Sequence, residues 1–535
     1  MTTFDPIELE ILWQSLIATV NEQAKALQRS AFSPIVREAG DLANAVFDRR
    51  GRMVAQAVTG TPGHINSLAK GAANMLAEYP LAEIDPGDVL ITNDPYKTAG
   101  QLLDVTVLYP VFRPGADGAP RVVAFFGSTI HHTDVGGYGI GAGGRDVFEE
   151  GLWIPICRLM KGDAGVARRN DDVWKFILSN VRQPDHMAGD LHAQMASGEV
   201  GAQRLGALCD AHGLDDIEAL ADEIIDRSEA ATRAAIAELP AGVHEAAAEL
   251  DLADGSRVTI RCSLTVDPTV GEIVVDYAGS SPASPWGINV VKNYTHAYTT
   301  FAVRSVLSPE IPNNHGSLAP IKVEAPEGSI VNAVSPQPGT ARHVVGMFLP
   351  NALLKALAQV EPEQSMAEGS GAVWTMQVSG SHDDGSPFIT AMFTYAGGVG
   401  ARASKPGLSA CSYPTGVSAV PIEVVEASAP IRFHRKALRP GSGGAGRQPG
   451  GLGQTVEFSV DTTRDWQLNA VTSRLAVPPE GILGGEPGAT GRFAVNGKPV
   501  ETQARITLRP DDVVTLELPG GGGYGEPVTD GAAVP

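Results

Sequence analysis

The period of the apolar residues changes along this chain near residue 240, and that change restricts the folds open to it. Before that point the longest apolar patterns repeat at helical spacing; after about residue 245 they alternate. The first helix is the clearest case, with Leu9, Leu12, Leu16, Val20, Ala24 and Leu27 on one face. Asp5 is placed to cap it, Pro6 stands at its first position, and Glu8 completes a capping box. Helix is predicted again over 65–79, in two pieces over 171–213, and over 217–239. Between them lie a strand hairpin over 44–58 and three strands over 88–96, 104–112 and 121–130. Beyond the change, "HEAAAELDL", "RVTIRCSLTV", "EIVVDYAG", "IKVEAP" and "VWTMQVSGSH" read as strands, with one helix over 293–307. The pattern predicts an α+β fold with mixed sheets, helix-rich in the N-terminal part and strand-rich in the C-terminal part. A chain of 535 residues exceeds one ordinary core, and we divide it into 1–240, 241–430 and 431–535.

Composition excludes several classes of function. A formal net charge of −21 disfavours binding to nucleic acid. No apolar run approaches the roughly 18 residues that span a bilayer. The opening "MTTFDPIELE" has no basic n-region, so no signal peptide is expected. Cys157, Cys209, Cys262 and Cys411 are far apart without a C-x-x-C pair. Reduced thiols, a cytoplasmic location and no cysteine-based zinc site follow as expectations.

The stretch "FFGSTIHHTDVGGYGIGAGGRDVFEEG" (125–151) concentrates the residues that carry chemistry. Gly139, Gly141 and Gly144 satisfy G-x-G-x-x-G, but a dinucleotide loop needs a strand directly before it and an apolar helix after it. Neither flank qualifies, so the glycines read as turns that let backbone approach a site closely. There is no Walker-type G-x-x-x-x-G-K-[ST], no G-x-S-x-G and no H-E-x-x-H. "RLMKGD" around Lys161 lacks the second methionine of a biotinyl-lysine motif and reads as an exposed turn. His131 and His132 end a strand and must project to opposite faces. Asp104 opens the preceding strand and Asp41 another. Three strand-end residues of ligand type are what an open metal site needs, although hydrogen-bonding turn residues have the same spacing. "GGAGRQPGGLG" (443–453) and "PGGGGYG" (519–525) are either anion cradles of backbone N–H groups or turns at a surface between domains or protomers.

"NDPYKTAGQLLDVTVLYPVF", "HHTDVGG", "NVRQPDHMAGDLHAQ", "GINVVKNYTHAY", "PNNHGSLAPIKVEAPEGS" and "ARHVVG", in that order, resemble the B-type subunits of the ATP-dependent hydantoinase/5-oxoprolinase family. Corresponding subunits of acetone and acetophenone carboxylases and of ATP-dependent lactamases are relatives. The resemblance implies a hetero-oligomer in which an actin-like A-type partner binds ATP and phosphorylates a carbonyl or enol oxygen. The B-type chain then completes the reaction at a divalent metal: zinc, manganese or magnesium. By position the family's metal ligands fall on Asp41, Gln101, Asp104 and His131, with His132 and Asp134 beside them. Gln101 departs from the family's usual histidine. A glutamine oxygen binds hard cations but is a poorer zinc ligand, so the set leans toward manganese or magnesium, or toward a metal-free site. Without metal, Asp41 serves as general base or nucleophile. Arg182 and the Arg342–His343 pair are candidates for holding phosphate or carboxylate, with salt bridges to acidic neighbours as the alternative. The implied function is ATP-dependent hydrolysis of a hydantoin, oxoproline or lactam. The alternatives are the equivalent component of a biotin-independent ketone carboxylase and a non-catalytic scaffold with a decayed site. Motifs do not name the substrate.

Overall fold

The computed structural model describes residues 4–58, 60–371 and 373–527. Its first 240 residues build one antiparallel sheet covered on both faces. The strands are β1 (Leu42–Phe47), β2 (Met53–Gln56), β3 (Val89–Thr92), β4 (Asp104–Pro114), β5 (Pro120–His131), β6 (Cys157–Asp163) and β7 (Val166–Arg169), in the order β2-β1-β5-β4-β3-β6-β7. Period-2 alternation sends neighbouring residues to opposite faces. Leu42, Val46, Phe126 and Ile130 pack against α1 (Pro6–Ser30). Ala43, Ala45, Phe47 and Phe125 pack on the other side, against Ile65, Leu68, Ala72 and Met75. Those four residues belong to a helix over Pro62–Glu78, the third in chain order after the single turn α2 (Pro34–Arg37), and hence α3.

The Asp5 carboxylate caps α1 by accepting from the N–H groups of Ile7 and Glu8. The two-part helix expected over 171–213 follows the short α4 (Val147–Glu150) as α5 (Asp171–Leu178) and α6 (Pro184–His212). Then comes α7 (Glu218–Ala237). At Gly242 the chain enters a second sheet of β8 (Gly242–Asp251), β9 (Arg257–Asp267), β10 (Glu272–Asp276) and β11 (Ile321–Glu324). The pairing of β10 with β11 is parallel, and the crossover between them carries α8 (Lys292–Leu307).

Two further antiparallel sheets make up the strand-rich part. One has the order β13-β12-β16-β19, from β12 (Val373–Ser381), β13 (Pro387–Ala396), β16 (Trp466–Val471) and β19 (Ile506–Leu508). The other runs β14-β15-β20-β17-β18, from β14 (Ile431–Leu438), β15 (Gln454–Val460), β17 (Arg492–Val495), β18 (Lys498–Pro499) and β20 (Val514–Glu517). The first of these draws strands from both sides of residue 430, so that boundary does not separate sheets.

Two local expectations need correcting. Lys161 is exposed but lies within β6, paired across to Arg168 of β7, rather than in a turn; its short hairpin lacks a long apolar alternation. The glycine segments near the C-terminus are spent on each other. Gly444 N–H donates to the Gly521 carbonyl and Gly521 N–H to that of Gly451. A Cβ on Gly521 would stand 2.0 Å from the Val399 carbonyl oxygen. Backbone packs directly on backbone there, and these amides are not turned toward an anion.

Candidate functional site

Asp41, Asp104 and His131 meet because of strand parity and register. The strands β1, β5 and β4 are adjacent and antiparallel, so the start of β1, the end of β5 and the start of β4 lie at one edge. Asp104 is directly opposite His131 across the ladder. Leu42 is opposite Ile130, which puts Asp41 beside His131, and His131 N–H donates to the Asp41 carbonyl at 3.3 Å. Asp41 has the parity of Ala43 and Ala45, and His131 that of Phe125, so these side chains stand on the α3 face. The first turn of α3 arrives at the same place. Thr61 caps that helix by accepting from His64 N–H at 3.2 Å, Pro62 follows, and His64 points into the cluster.

The cluster is buried, and its charges are opposed in pairs. His64 Nε2 is 2.8 Å from Asp104 Oδ2 and its Nδ1 3.2 Å from Asp41 Oδ1. The second contact has ion-pair distance but not hydrogen-bond alignment, leaving Asp41 Oδ1 and His64 Nδ1 without a hydrogen-bond partner. On the other Asp104 oxygen, Gln101 Nε2 donates at 2.6 Å and His131 Nδ1 is at 3.0 Å. Arg342, only 1% exposed, donates Nη2 to Asp104 Oδ2 and Nε to the Ala99 carbonyl. Its guanidinium lies 4.1 Å from the centre of the Tyr294 ring. A side chain at Gly100, where φ is +88°, would bring a Cβ within 2.8 Å of Arg342 Cδ, so glycine is needed for this approach.

Burial disfavours the charge on His64, but Asp104 and Asp41 on either side outweigh it and push its pKa up to about 10. Burial would likewise raise Asp104; His64, Arg342 and the His131 hydrogen bond outweigh that and hold its carboxyl well below the usual range. Asp41 is lowered for the same reason, with His64 as its main counter-charge. Two carboxylates thus face an imidazolium and a guanidinium. His343 is the contrast: burial and the nearby Arg342 push it down to about 3, and its neutral Nε2 lies 3.2 Å from Thr375 Oγ1.

The four residues expected as metal ligands are together, and Asp41, Gln101 and His131 line one small cavity with His64, Arg342 and His343. It encloses about 50 Å3, room for a few waters but not for a substrate ring. Among the described residues, no group of three or more His, Cys, Asp or Glu side chains is disposed to hold a metal ion as they stand. The donors satisfy each other instead. In chemistry, however, two carboxylates and two imidazoles suit a divalent cation, and the proton on His64 supplies positive charge where a cation would.

His132 turns away, as alternation requires. It is buried toward Asp190 and Gln194 of α6, and burial lowers its pKa. Asp134 and Arg182 find each other rather than the cavity. The Asp134 carboxylate accepts from Arg182 N–H and Nε and from Gly136 N–H, while Arg182 Nη2 donates to the Gly136 carbonyl at 2.7 Å. This clamp closes the turn after β5. Two site residues escaped sequence reasoning in this role. His64 fell outside a helix begun at 65, although Thr61–Pro62 is a cap signal three residues earlier. Arg342 had no local signal tying it to Asp104, 238 residues away.

The family model for hydantoinase B/oxoprolinase matches residues 5–527. A protein of Pseudomonas sp. assigned as the B-type component of a D-/L-hydantoinase is 30% identical, over 98% of this chain and 90% of its own length. A 5-oxoprolinase of Pestalotiopsis fici is 29% identical; the alignment covers 98% of this chain but 42% of that protein. The crystal structure of an ATP-dependent caprolactamase from Pseudomonas jessenii superposes with a TM-score of 0.88 at 26% identity, covering 98% of this chain and 92% of that one. An acetone carboxylase shares the fold, with a TM-score of 0.84 at 18% identity over 98% of this chain and 76% of that one. No described helix is long and apolar enough to cross a membrane. The chain belongs to the hydantoinase B/oxoprolinase family.

Proposed function

We propose that this chain is the B-type subunit of an ATP-dependent cyclic amidase, opening a carbonyl-phosphorylated hydantoin, oxoproline or lactam supplied by an actin-like A-type partner that binds ATP. The observation that carries the reading is the buried Asp41–His64–Asp104–His131 cluster beside Arg342, in a chain of this family. Ring opening adds water to the activated carbon, breaks the carbon–nitrogen bond and moves both protons of that water to the leaving nitrogen, which carries none in the O-phosphorylated imidate. Asp41 lines the cavity with a carboxylate oxygen 3.2 Å from His64 Nδ1, and this carboxylate–imidazolium pair is placed to take and return those protons. Arg342 and neutral His343 on the same wall supply a cation and a neutral imidazole toward the phosphorylated oxygen. A second water hydrolyses the resulting acyl phosphate to carboxylate and phosphate. Because the cavity is small, its walls must part to admit a ring.

Asp41, Asp104 and His131 would hold a divalent cation, with the Gln101 oxygen or His64 as a further donor. Such an ion polarises a carbonyl or lowers the pKa of bound water. A second reading, the same proton transfer by Asp41 without metal, is favoured by the hydrogen bonds and ion pairs that already occupy both oxygens of Asp104.

The test is reconstitution with the A-type partner and assay of ATP-dependent opening of hydantoin, 5-oxoproline and caprolactam. Turnover is expected to fall by about 10²-fold or more in Asp41→Ala. Unchanged turnover in that variant means a scaffold role, and a bicarbonate requirement with ketone consumption means a carboxylase. Elemental mass spectrometry of the chain and of an Asp41→Ala, His131→Ala double variant separates the metal and metal-free readings. Gln101→His is expected to raise zinc affinity by about tenfold or more, the scale of changes around metal sites.

A further inference from the structure

A second cavity lies on a neighbouring face of the first turn of α3, lined there by Pro62, Ile65 and Asn66. It encloses about 610 Å3, within the range of small-molecule sites and far larger than the cavity at Asp41. Its walls come from α1, the end of β2, α8 and the segment 309–313, and are largely apolar. Among the described residues that line it, Arg304 is the one charged side chain, and none is Asp or Glu. That is unexpected in a chain with 61 acidic and 40 basic residues.

Arg304 directs its hydrogen bonds to neutral groups. It donates Nη1 to Asn313 Oδ1 at 2.7 Å and Nη2 to the Ile311 carbonyl, and its Nε has no hydrogen-bond partner. Asn313 is fixed in turn, donating Nδ2 to Gln56 Oε1 at 2.6 Å and to Asn66 Oδ1 at 2.7 Å. Among the described residues no carboxylate lies within ion-pair distance of the guanidinium. Burial pushes its pKa down to about 10, against the attraction of Glu310 in the adjoining segment, which lies beyond ion-pair distance. A guanidinium oriented by a relay of amides, with apolar walls and no internal anion, complements a planar carboxylate on a carbon skeleton. A phosphate dianion would call for a second cation, which these walls lack.

We infer that this cavity is a second ligand site, separate from the Asp41–Asp104–His131 cluster, and that it binds a small organic carboxylate through Arg304. Ring opening of a cyclic amide yields such a carboxylate, so the product is a natural occupant; that clause rests on the proposed reaction, whereas the binding itself does not.

Calorimetric titration of the full chain tests it, with glutarate as probe, glutaramide as its neutral analogue and inorganic phosphate as the tetrahedral anion. Saturable glutarate binding is expected, weaker by about tenfold or more in Arg304→Gln. Ser305→Trp places bulk at an exposed lining position, leaves the bonds of Arg304 in place, and is expected to block binding. Asp41→Ala is expected to bind as the wild type does, and glutaramide not at all. Binding that survives both Arg304→Gln and Ser305→Trp, or that disappears in Asp41→Ala, puts the carboxylate at the catalytic cluster and overturns the assignment. Phosphate binding as tight as glutarate overturns the carboxylate preference. Absence of saturable glutarate binding to the wild type overturns the site itself.

Discussion

The two cavities beside the first turn of α3 handle charge in opposite ways. Around Asp104 every buried charge faces an opposite one, and the space left is about 50 Å3. Around Arg304 the cavity lining offers one cation hydrogen-bonded to amides among hydrocarbon, and the space is about 610 Å3. A closed network of opposed charges is stable only while all its members are present, because each removal strands another charge in a medium that solvates it poorly. A single charge held by neutral dipoles contributes little to its own fold and retains its field for a ligand. The first arrangement suits chemistry in a nearly closed site; the second suits binding.

The strongest response is expected from breaking the network at its centre. Asp104→Ala strands Arg342 and His64 and should destabilise the chain by about 3–5 kcal/mol, read as denaturant or thermal unfolding. A loss under about 1 kcal/mol would mean that the charges are not mutually dependent.

Next is the pH dependence of that network. The folded pKa of His64, about 10, lies above its unfolded value of roughly 6.5. The stability it contributes is therefore fully present below about pH 6.5 and is lost as pH rises through 10. In metal-free buffer the stability gap between wild type and His64→Gln should close across that window. A gap independent of pH would show His64 neutral in the folded chain. Cation binding should run the other way, tightening with pH and releasing a proton.

Glu150 offers the anionic counterpart of Arg304, with a smaller effect. It is 2% exposed, and its Oε1 accepts from Gly339 and Thr340 N–H at 2.8 and 2.7 Å, just before Arg342. Burial pushes it up to about 7, against those hydrogen bonds. Its charge is thus a cost that is complete above about pH 7 and disappears as pH falls toward its unfolded value of about 4.3. Glu150→Gln keeps the acceptor and should raise the melting temperature at about pH 8 but not at about pH 4.5. The mildest change is expected of Arg304→Gln, within about 1 kcal/mol of wild type in the absence of ligand. A loss like that of Asp104→Ala would mark Arg304 as part of the fold rather than of a site.

Much of this was legible in the residues. The 3.6-residue repeat and Asp5–Pro6 cap account for α1, and alternation accounts for His131 and His132 parting to opposite faces. Asp41, Asp104 and His131 were recognisable as strand-end residues, though spacing did not say that their strands are neighbours. Asp134 and Arg182 show the limit: both residue types suit catalysis, yet here they clamp a turn. The terminal glycine segments show another, since flexible loops and tight backbone packing have the same composition.

Where helices and strands form, and which face each side chain takes, was written in the residue order, because both follow from local periods and caps. The company each charge keeps came from tertiary packing. Strand order set Asp41, His131 and Asp104 side by side, α3 brought His64 between the carboxylates, and the segment before His343 delivered Arg342. The same packing left Arg304 hydrogen-bonded to amides rather than to a carboxylate. Whether a buried charge is neutralised, protonated or left for a ligand depends on groups within a few ångströms, and those are chosen by the fold rather than by neighbours in the chain.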